Sequence, residues 1–207
     1  MSISGPQTKS EYGGHQYEPA FIIGNGLSRK DFNLNRLVGQ GCIFGCNALY
    51  RDFTPDYLVA IDDKIAEEIS QSDFPMNRFI VPPNEEQYEP AECNPNRPRS
   101  NAGMNACLEA IKMGFGVIYL FGFDFILENE ISVKNIYDGS DCYGPETRAN
   151  YNDNGNRVKY FEWMATKNPS VKFKFVLPRD IGIIHNINSS NVTGIYYEDF
   201  DPEWDVK

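Results

Sequence analysis

The sequence predicts an α/β fold: one domain with a mainly parallel sheet, helices on both faces and a lid-like insertion. Three observations point there. Continuous apolar runs of strand length recur along the chain, amphipathic segments lie between them, and the runs end on Gly, Asn or Asp. A strand buried on both faces reads as an unbroken apolar stretch. Parallel neighbours also need crossover connections, which helices supply.

Residues 1–18 hold Gly5, Pro6, Gly13 and Gly14 without an apolar period, and are expected to form a flexible N-terminal arm. The domain is expected over 19–178. Ala20-Phe21-Ile22-Ile23 predicts a first strand closed by the turn Gly24-Asn25-Gly26. A short helix should follow, capped by Ser28 or Asp31, with Phe32, Leu34 and Leu37 on its buried side. Two further strands are expected over 42–46 and 57–61, ending on Asn47 and Asp62, and then a helix over 64–70 capped by Asp62 or Asp63. Arg78-Phe79-Ile80-Val81 predicts a fourth strand, stopped by Pro82-Pro83. Residues 84–99 carry turn signals and no period, so they form a loop. Met104, Cys107, Leu108 and Ile111 recur at helical spacing, with Ser100 or Asn101 as N-cap and Gly114 past the end. A strand over 117–121 ends in Gly122-Phe123-Asp124-Phe125. The polar stretch 128–156 is long for a connection and is expected to be a lid. A helix over 157–166 and a strand over 171–177, stopped by Pro178, complete the domain. Residues 179–207 form a C-terminal extension with strand-like pieces at 181–184 and 195–197 and an acidic tail.

With 207 residues, 41% of them hydrophobic, the chain has ample material for one core, and global disorder is excluded. No stretch matches a bilayer span or a signal peptide, so the expected location is cytoplasmic. Five cysteines without Cys-x-x-Cys spacing favour neither a disulfide framework nor a zinc site. The formal charge of −10 gives duplex nucleic acid a poor partner. That charge is concentrated: residues 84–92 hold four acids and no base, and 198–207 hold five acids and one lysine. The acidity therefore leaves the strand ends open to a phosphate-bearing ligand.

In sheets of this kind ligands bind outside the carboxyl ends of the strands, where the strand order reverses. The residues expected there are Gly24, Asn25, Gly26, Asn47, Asp62, Asp63, Pro82, Gly122 and Asp124. Glycine would let a ligand approach the backbone, and a following helix would offer free amides to an anion. The turn lacks the third glycine of a dinucleotide fingerprint and the Gly-Lys-Ser/Thr of a P-loop.

The order and spacing of Phe21-Ile22-Ile23-Gly24-Asn25-Gly26-Leu27-Ser28, Phe44-Gly45-Cys46-Asn47, the segment 56–62, Asn101-Ala102-Gly103-Met104 and Gly122-Phe123-Asp124-Phe125 resemble one superfamily. It is the Rossmann-like group containing Campylobacter-type bacterial sialyltransferases and the archaeal pterin pyrophosphokinase and flagellar motility accessory proteins. The resemblance covers about residues 20–125. It implies that Gly24, Asn25, Gly26 and Ser28 lie against the phosphate and ribose of a cytidine nucleotide sugar, that Asn47 touches the nucleotide, and that Asn101 and Gly103 approach the base. Where the relatives read Thr-Ser-Gly this chain has Asn101-Ala102-Gly103, so Ser100 or Asn101 must replace a hydroxyl. The relatives place a catalytic histidine just before the late helix; residues 151–156 contain none, which leaves Asp153 as the candidate base. Lid tyrosines that stabilise the departing phosphate would be Tyr137, Tyr143 and Tyr151.

The leading expectation is a glycosyltransferase-like enzyme moving a sugar from a nucleotide-sugar donor, a cytidine monophosphate sugar above others, to an unknown acceptor, with no cofactor required. Were Asp62 and Asp124 to converge, they would hold Mg²⁺ for a pyrophosphotransferase instead. A nucleotide-binding or interaction module without catalysis is the third reading. His15, His185 and the aromatic group Tyr160, Phe161 and Trp163 read as structural. Arg97 and Arg99 read as loop residues that would otherwise meet a phosphate.

Overall fold

The computed structural model describes residues 18–201. The expected arm, apart from Glu18, and residues 202–207 of the acidic tail lie outside the described residues. Seven strands form one sheet: β1 (Ala20–Ile23), β2 (Cys42–Cys46), β3 (Tyr57–Val59), β4 (Phe79–Ile80), β5 (Val117–Phe121), β6 (Lys172–Leu177) and β7 (Val192–Tyr196). Their order is β4-β3-β2-β1-β5-β6-β7, and every pairing is parallel. The chain walks outward from β1 to β4, then returns to the other side of β1 to lay down β5. The switch point therefore lies between β1 and β5.

Alternation along β1 divides the core. Ala20 and Ile22 face one layer, with α2 (Ala102–Lys112) and α4 (Tyr151–Lys167). Phe21 and Ile23 face the other, with α1 (Asp63–Ser70), Leu37, Tyr119 and Phe121. All four β1 residues are buried, as are those of β5, so the unbroken apolar runs are those of strands covered on both faces.

Four sequence expectations change. The helix after Gly26 is replaced by two 3-10 turns, Leu27–Arg29 and Leu34–Leu37, the second capped by the Asn33 side chain on Asn35 N. The cap is neither Ser28 nor Asp31, because Ser28 is bonded elsewhere. The late helix begins at Tyr151 rather than 157: Asn150 accepts from Asn152 N and Asp153 N, and Asp153 accepts from Asn150 N in a capping box. That reciprocal cap starts a helix in an Asn- and Gly-rich run of poor intrinsic propensity. Consequently residues 151–156 belong to α4 and not to the lid. Finally, residues 179–201 are no appendage, since β7 continues the sheet along β6 with Val192 opposite Phe173 and Tyr196 opposite Leu177.

At the switch point the backbones of the β1 and β5 turns meet. Gly24 N donates to Phe121 O at 2.8 Å and Gly26 N to Gly122 O at 3.1 Å. A methyl on Gly24 would come within 2.7 Å of Gly122 O, and one on Gly26 would overlap the Asp124 carboxylate. Gly122 itself sits at φ +67°, where other residues are strained. The glycines thus serve the contact between two turns of the protein itself. Gly26→Ala should cost about 2–4 kcal/mol in urea unfolding, comparable to overpacking and loss of a buried network; a loss below about 0.5 kcal/mol would contradict this packing.

Candidate functional site

Asp124 follows β5 and is buried at 5% exposure. Ser28 N donates to its Oδ2 at 3.0 Å, and the Ser28 hydroxyl donates to Oδ1. Burial pushes the Asp124 carboxyl up to about 6, while the Ser28 and Leu27 donors and the nearby Arg29 charge oppose that rise. The donors after β1, which the sequence reserves for a phosphate, are filled by a carboxylate of the chain. Arg29, also buried, closes the arrangement: Nε donates to Gly24 O at 2.5 Å and Nη2 to Asn25 Oδ1 at 3.2 Å.

The ligand-sized space lies beside this knot. A cavity of about 710 Å³ opens at the carboxyl ends of the strands, within the size range of small-molecule sites. Its walls include Gly24, Asn25, Gly26, Asn47, Asp62, Asn101, Gly103, Tyr143 and Arg157. Asn25 Nδ2 donates to Cys46 O at 2.9 Å, tying the end of β1 to that of β2. The next residue, Asn47, adopts φ +49°, a left-handed conformation that Asn tolerates better than most residues, as the chain leaves β2 directly into the 3-10 turn Asn47–Arg51. Asn47 Oδ1 and the Tyr143 hydroxyl are both buried without a hydrogen-bond partner among the described residues. Burial pushes the Tyr143 phenol up to about 12, and the Ala48 amide and the Asn25 and Asn47 side chains beside it oppose the shift. Three polar side chains from β1, β2 and the lid thus converge on one point with acceptor and donor capacity unspent.

Asp62 precedes α1 but makes no side-chain cap bond, so its carboxylate remains on the cavity wall. Burial raises its proton affinity above the ordinary carboxylate value, Arg99 and the Asn47 amide oppose that, and Asp63 adds to it. Asn101 caps α2 by accepting from Met104 N at 3.0 Å. Gly103 in the first turn leaves room for the Phe123 ring, which would stand 3.0 Å from a Cβ there.

The segment expected to form a lid, residues 128–150 once α4 has taken its share, is docked. Gly26 bridges Asn135, and Ile136 N donates to Asn25 O at 2.9 Å. Arg51 is the main fastening. It grips Glu68 through Nε at 2.8 Å and Nη2 at 2.6 Å, and reaches Ser140 Oγ at 3.0 Å and Asp141 O at 3.1 Å. Burial works against the Glu68 charge, but the Arg51 and Tyr50 hydrogen bonds prevail and hold its carboxyl below the usual range. The Arg51 guanidinium also lies over the rings of Tyr137 and Tyr143.

Of the residues the sequence singles out, the cavity therefore gathers Gly24, Asn25, Gly26, Asn47, Asp62, Asn101, Gly103, Asp124 and Tyr143. Ser28 lies outside its walls, committed to Asp124. Tyr137 is buried beneath the lid, with Asp52 and Arg29 near its phenol. Tyr151 is 58% exposed and stacks with His185 at 5.5 Å between ring centroids, away from the cavity walls. Asp153 is occupied in the capping box and does not line the cavity. Asp62 follows β3 and Asp124 follows β5, with β2 and β1 between those strands, and Asp124 is committed to Ser28. Among the described residues no group of three His, Cys, Asp or Glu side chains is placed to hold a metal. Arg99 binds Ile61 O, Gln87 and Asp63, fastening the 84–99 loop to the end of β3.

Sequence reasoning missed Arg157, Arg51 and Arg29. For Arg157 a signal existed: it stands three, four and seven residues before Tyr160, Phe161 and Met164, all buried, so it shares the core-facing stripe of α4. Tyr160 and Phe161 are core residues, as expected, and Trp163 packs at the edge.

No protein-family model matches the chain, and no curated protein matches it. Among solved structures it is similar to the sialyltransferase CstII from Campylobacter jejuni in complex with a substrate analogue, cytidine-5'-monophosphate, with a TM-score of 0.52 and 17% identity over 86% of this chain and 89% of that one. A structure of the sialyltransferase CST-II with trisaccharide acceptor and CMP also matches, with a TM-score of 0.46 and 16% identity over 84% of this chain and 88% of that one. The fold is that of a sialyltransferase-like α/β domain, a single seven-stranded parallel sheet with flanking helices. No helix among the described residues is long and apolar enough to cross a membrane.

Two outcomes test this site. Because the Asp124 pKa is raised on folding from 3.8 to about 6, its neutral form favours the folded state. Its contribution is fully present below pH ~4 and is lost as pH rises toward 6 and beyond, by about 3 kcal/mol at 1.36 kcal/mol per pH unit. Urea midpoints of Asp124→Asn should lack that decline. Arg51→Ala should loosen the lid locally, by roughly tenfold in opening. Limited trypsin digestion would then cut faster at Lys134 or Arg148, with the melting temperature of the sheet nearly unchanged; equal cutting of both proteins would contradict Arg51 as the fastening.

Proposed function

We propose that the chain is a glycosyltransferase that binds a nucleotide sugar, a cytidine monophosphate sugar above others, in the cavity at the ends of β1 and β2. The observation that carries this reading is the convergence of Asn25, Asn47 and Tyr143, with Asn47 Oδ1 and the Tyr143 hydroxyl buried and unpaired. Buried polar atoms without partners are costly, and a nucleotide's ribose or phosphate supplies partners of the right kind. The fold shared with a CMP-bound sialyltransferase supports the choice of nucleotide. In transfer, the bond from the donor phosphate to the sugar breaks as the acceptor oxygen attacks. Charge grows on the phosphate, where the Tyr143 hydroxyl and the Asn47 amide are suited to receive it. The acceptor proton needs a base. Asp62, on the cavity wall with its proton affinity raised by burial, suits that role better than Asp153, whose carboxylate is held in the helix cap.

A nucleotide-binding module without turnover is the second reading, favoured by the absence of histidine among the described residues of the cavity walls. Asn47→Gly keeps the left-handed backbone and removes the amide, so it separates binding from folding. Together with Asn25→Ala it should weaken CMP at least tenfold in calorimetric titration, and unchanged affinity would sink the nucleotide assignment. Asp62→Asn should leave CMP affinity within about twofold and lower turnover at least 100-fold. For the parent enzyme the rate should rise with pH through the Asp62 ionisation, above the ordinary aspartate range. Binding without turnover of any donor would leave the module reading standing.

A further inference from the structure

We propose that Arg157 is the receptor for an oxyanion of the bound nucleotide sugar, the donor phosphate or a carboxylate on its sugar. This deepens the nucleotide-sugar reading and rests on it. Arg157 projects from the core-facing stripe of α4 and lines the cavity. Its one hydrogen bond among the described residues runs from Nη1 to Asn154 Oδ1 at 3.1 Å, and Asn154 Nδ2 in turn donates to Ser132 Oγ at 3.0 Å. A guanidinium has five N–H donors in a planar fork, so most of this one faces the cavity unspent. Among the described residues no carboxylate stands within ion-pair distance of it. The two acids whose charge it feels, Asp153 and Glu89, are engaged elsewhere: Asp153 accepts from Asn150 N, and Glu89 from Asn94 Nδ2.

Arg157 is half-buried, and a cation partly withdrawn from water without an ion pair is costly unless an anion meets it. The neighbouring wall is suited to the same anion. The first turn of α2 contributes Ser100, Asn101, Ala102 and Gly103 to the cavity, and the opening amides of a helix have no intrahelical acceptor. The Ser100 hydroxyl is buried without a hydrogen-bond partner, beside the phenol of Tyr160, one turn along α4 from Arg157. A fork of N–H donors, a hydroxyl and a helix start thus face one space, and a planar or tetrahedral oxyanion matches all three.

The test compares the parent protein with Arg157→Gln by calorimetric titration of cytidine, CMP and CMP-N-acetylneuraminate. Cytidine affinity should be the same in both. If Arg157 holds the phosphate, CMP and the nucleotide sugar both weaken at least tenfold in the variant; if it holds the sugar's carboxylate, only the nucleotide sugar does. Equal affinities of all three ligands, or equal weakening that includes cytidine, would overturn the assignment. Should Arg157→Gln fail to fold by circular dichroism, Arg157→Lys carries the same comparison, with at least threefold weakening expected because an ammonium lacks the fork. If the parent protein binds none of the three, the nucleotide reading fails by itself. Arg157 is then read on inorganic phosphate and sodium acetate: a melting-temperature rise in the parent that the variant loses supports the receptor role, and the same shift in both removes it.

Discussion

The pairing of Asp124 with Ser28 organises the carboxyl end of the sheet, because it joins the turns after β1 and β5 at the place where an open α/β sheet ordinarily receives its ligand. The turns after β1 and β5 diverge at the switch point and would leave a crevice between them. Here Gly24 and Gly122 bring the two backbones into contact, Gly26 leaves room for a carboxylate, and Ser28 satisfies that carboxylate with both its amide and its hydroxyl. One buried charge, costly to desolvate, is kept because its acceptors are met, and Arg29 lies close enough to favour it.

With Asp124 committed to Ser28, the available space lies over the ends of β1, β2, β3 and β5 and reaches the start of α2. The protein furnishes this space with amides, a phenol and the exposed carboxylate of Asp62 in place of a phosphate-binding loop. The lid belongs to the same solution. Asn25 accepts the lid's Ile136 amide through its backbone while its side chain spans to Cys46 and Arg29. Arg51, leaving the turn that Asn47 begins, holds the lid from the other side through Ser140 and Asp141. The two asparagines facing the cavity are therefore also attached to its roof, so any ligand that draws on them acts on the lid through one or two bonds.

How much of this could be read from the sequence depends on the range of the interactions involved. The strands were legible because burial on both faces writes an uninterrupted apolar run, and 20–23, 42–46 and 117–121 match the observed strands residue for residue. The helix α2 was legible through its period and its Asn101 cap. The start of α4 was not, because two local signals conflict: Asn, Asp and Gly over 150–156 read as loop by propensity, whereas the Asn150–Asp153 capping box overrides them once α4 can pack Tyr160 and Phe161. Asn25 and Asn47 could be placed at the cavity from position alone. Ser28 could not be assigned, since its true partner lies 96 residues away and a hydroxyl after a glycine turn looks the same whether it faces a phosphate or Asp124. The sequence could not show that two strands separate those preceding Asp62 and Asp124, because strand order is set by long-range pairing.

The distribution of buried charge separates structure from site. Asp124 has neutral and cationic donors around it and needs nothing from outside the chain. Glu68 is satisfied by Arg51 and Tyr50 and spends its charge on the lid. Asp62 and Arg157 differ from both: each lines the cavity, each is shifted by burial against its charged form, and neither has a hydrogen-bonded partner of opposite charge among the described residues. A fold that satisfies its internal carboxylate so fully at the switch point would gain stability by pairing or replacing Arg157 as well. Arg157 of α4 and Asp62, which precedes α1, line one cavity, and on the proposed reading that is where a ligand carrying both an oxyanion and a hydroxyl would meet them.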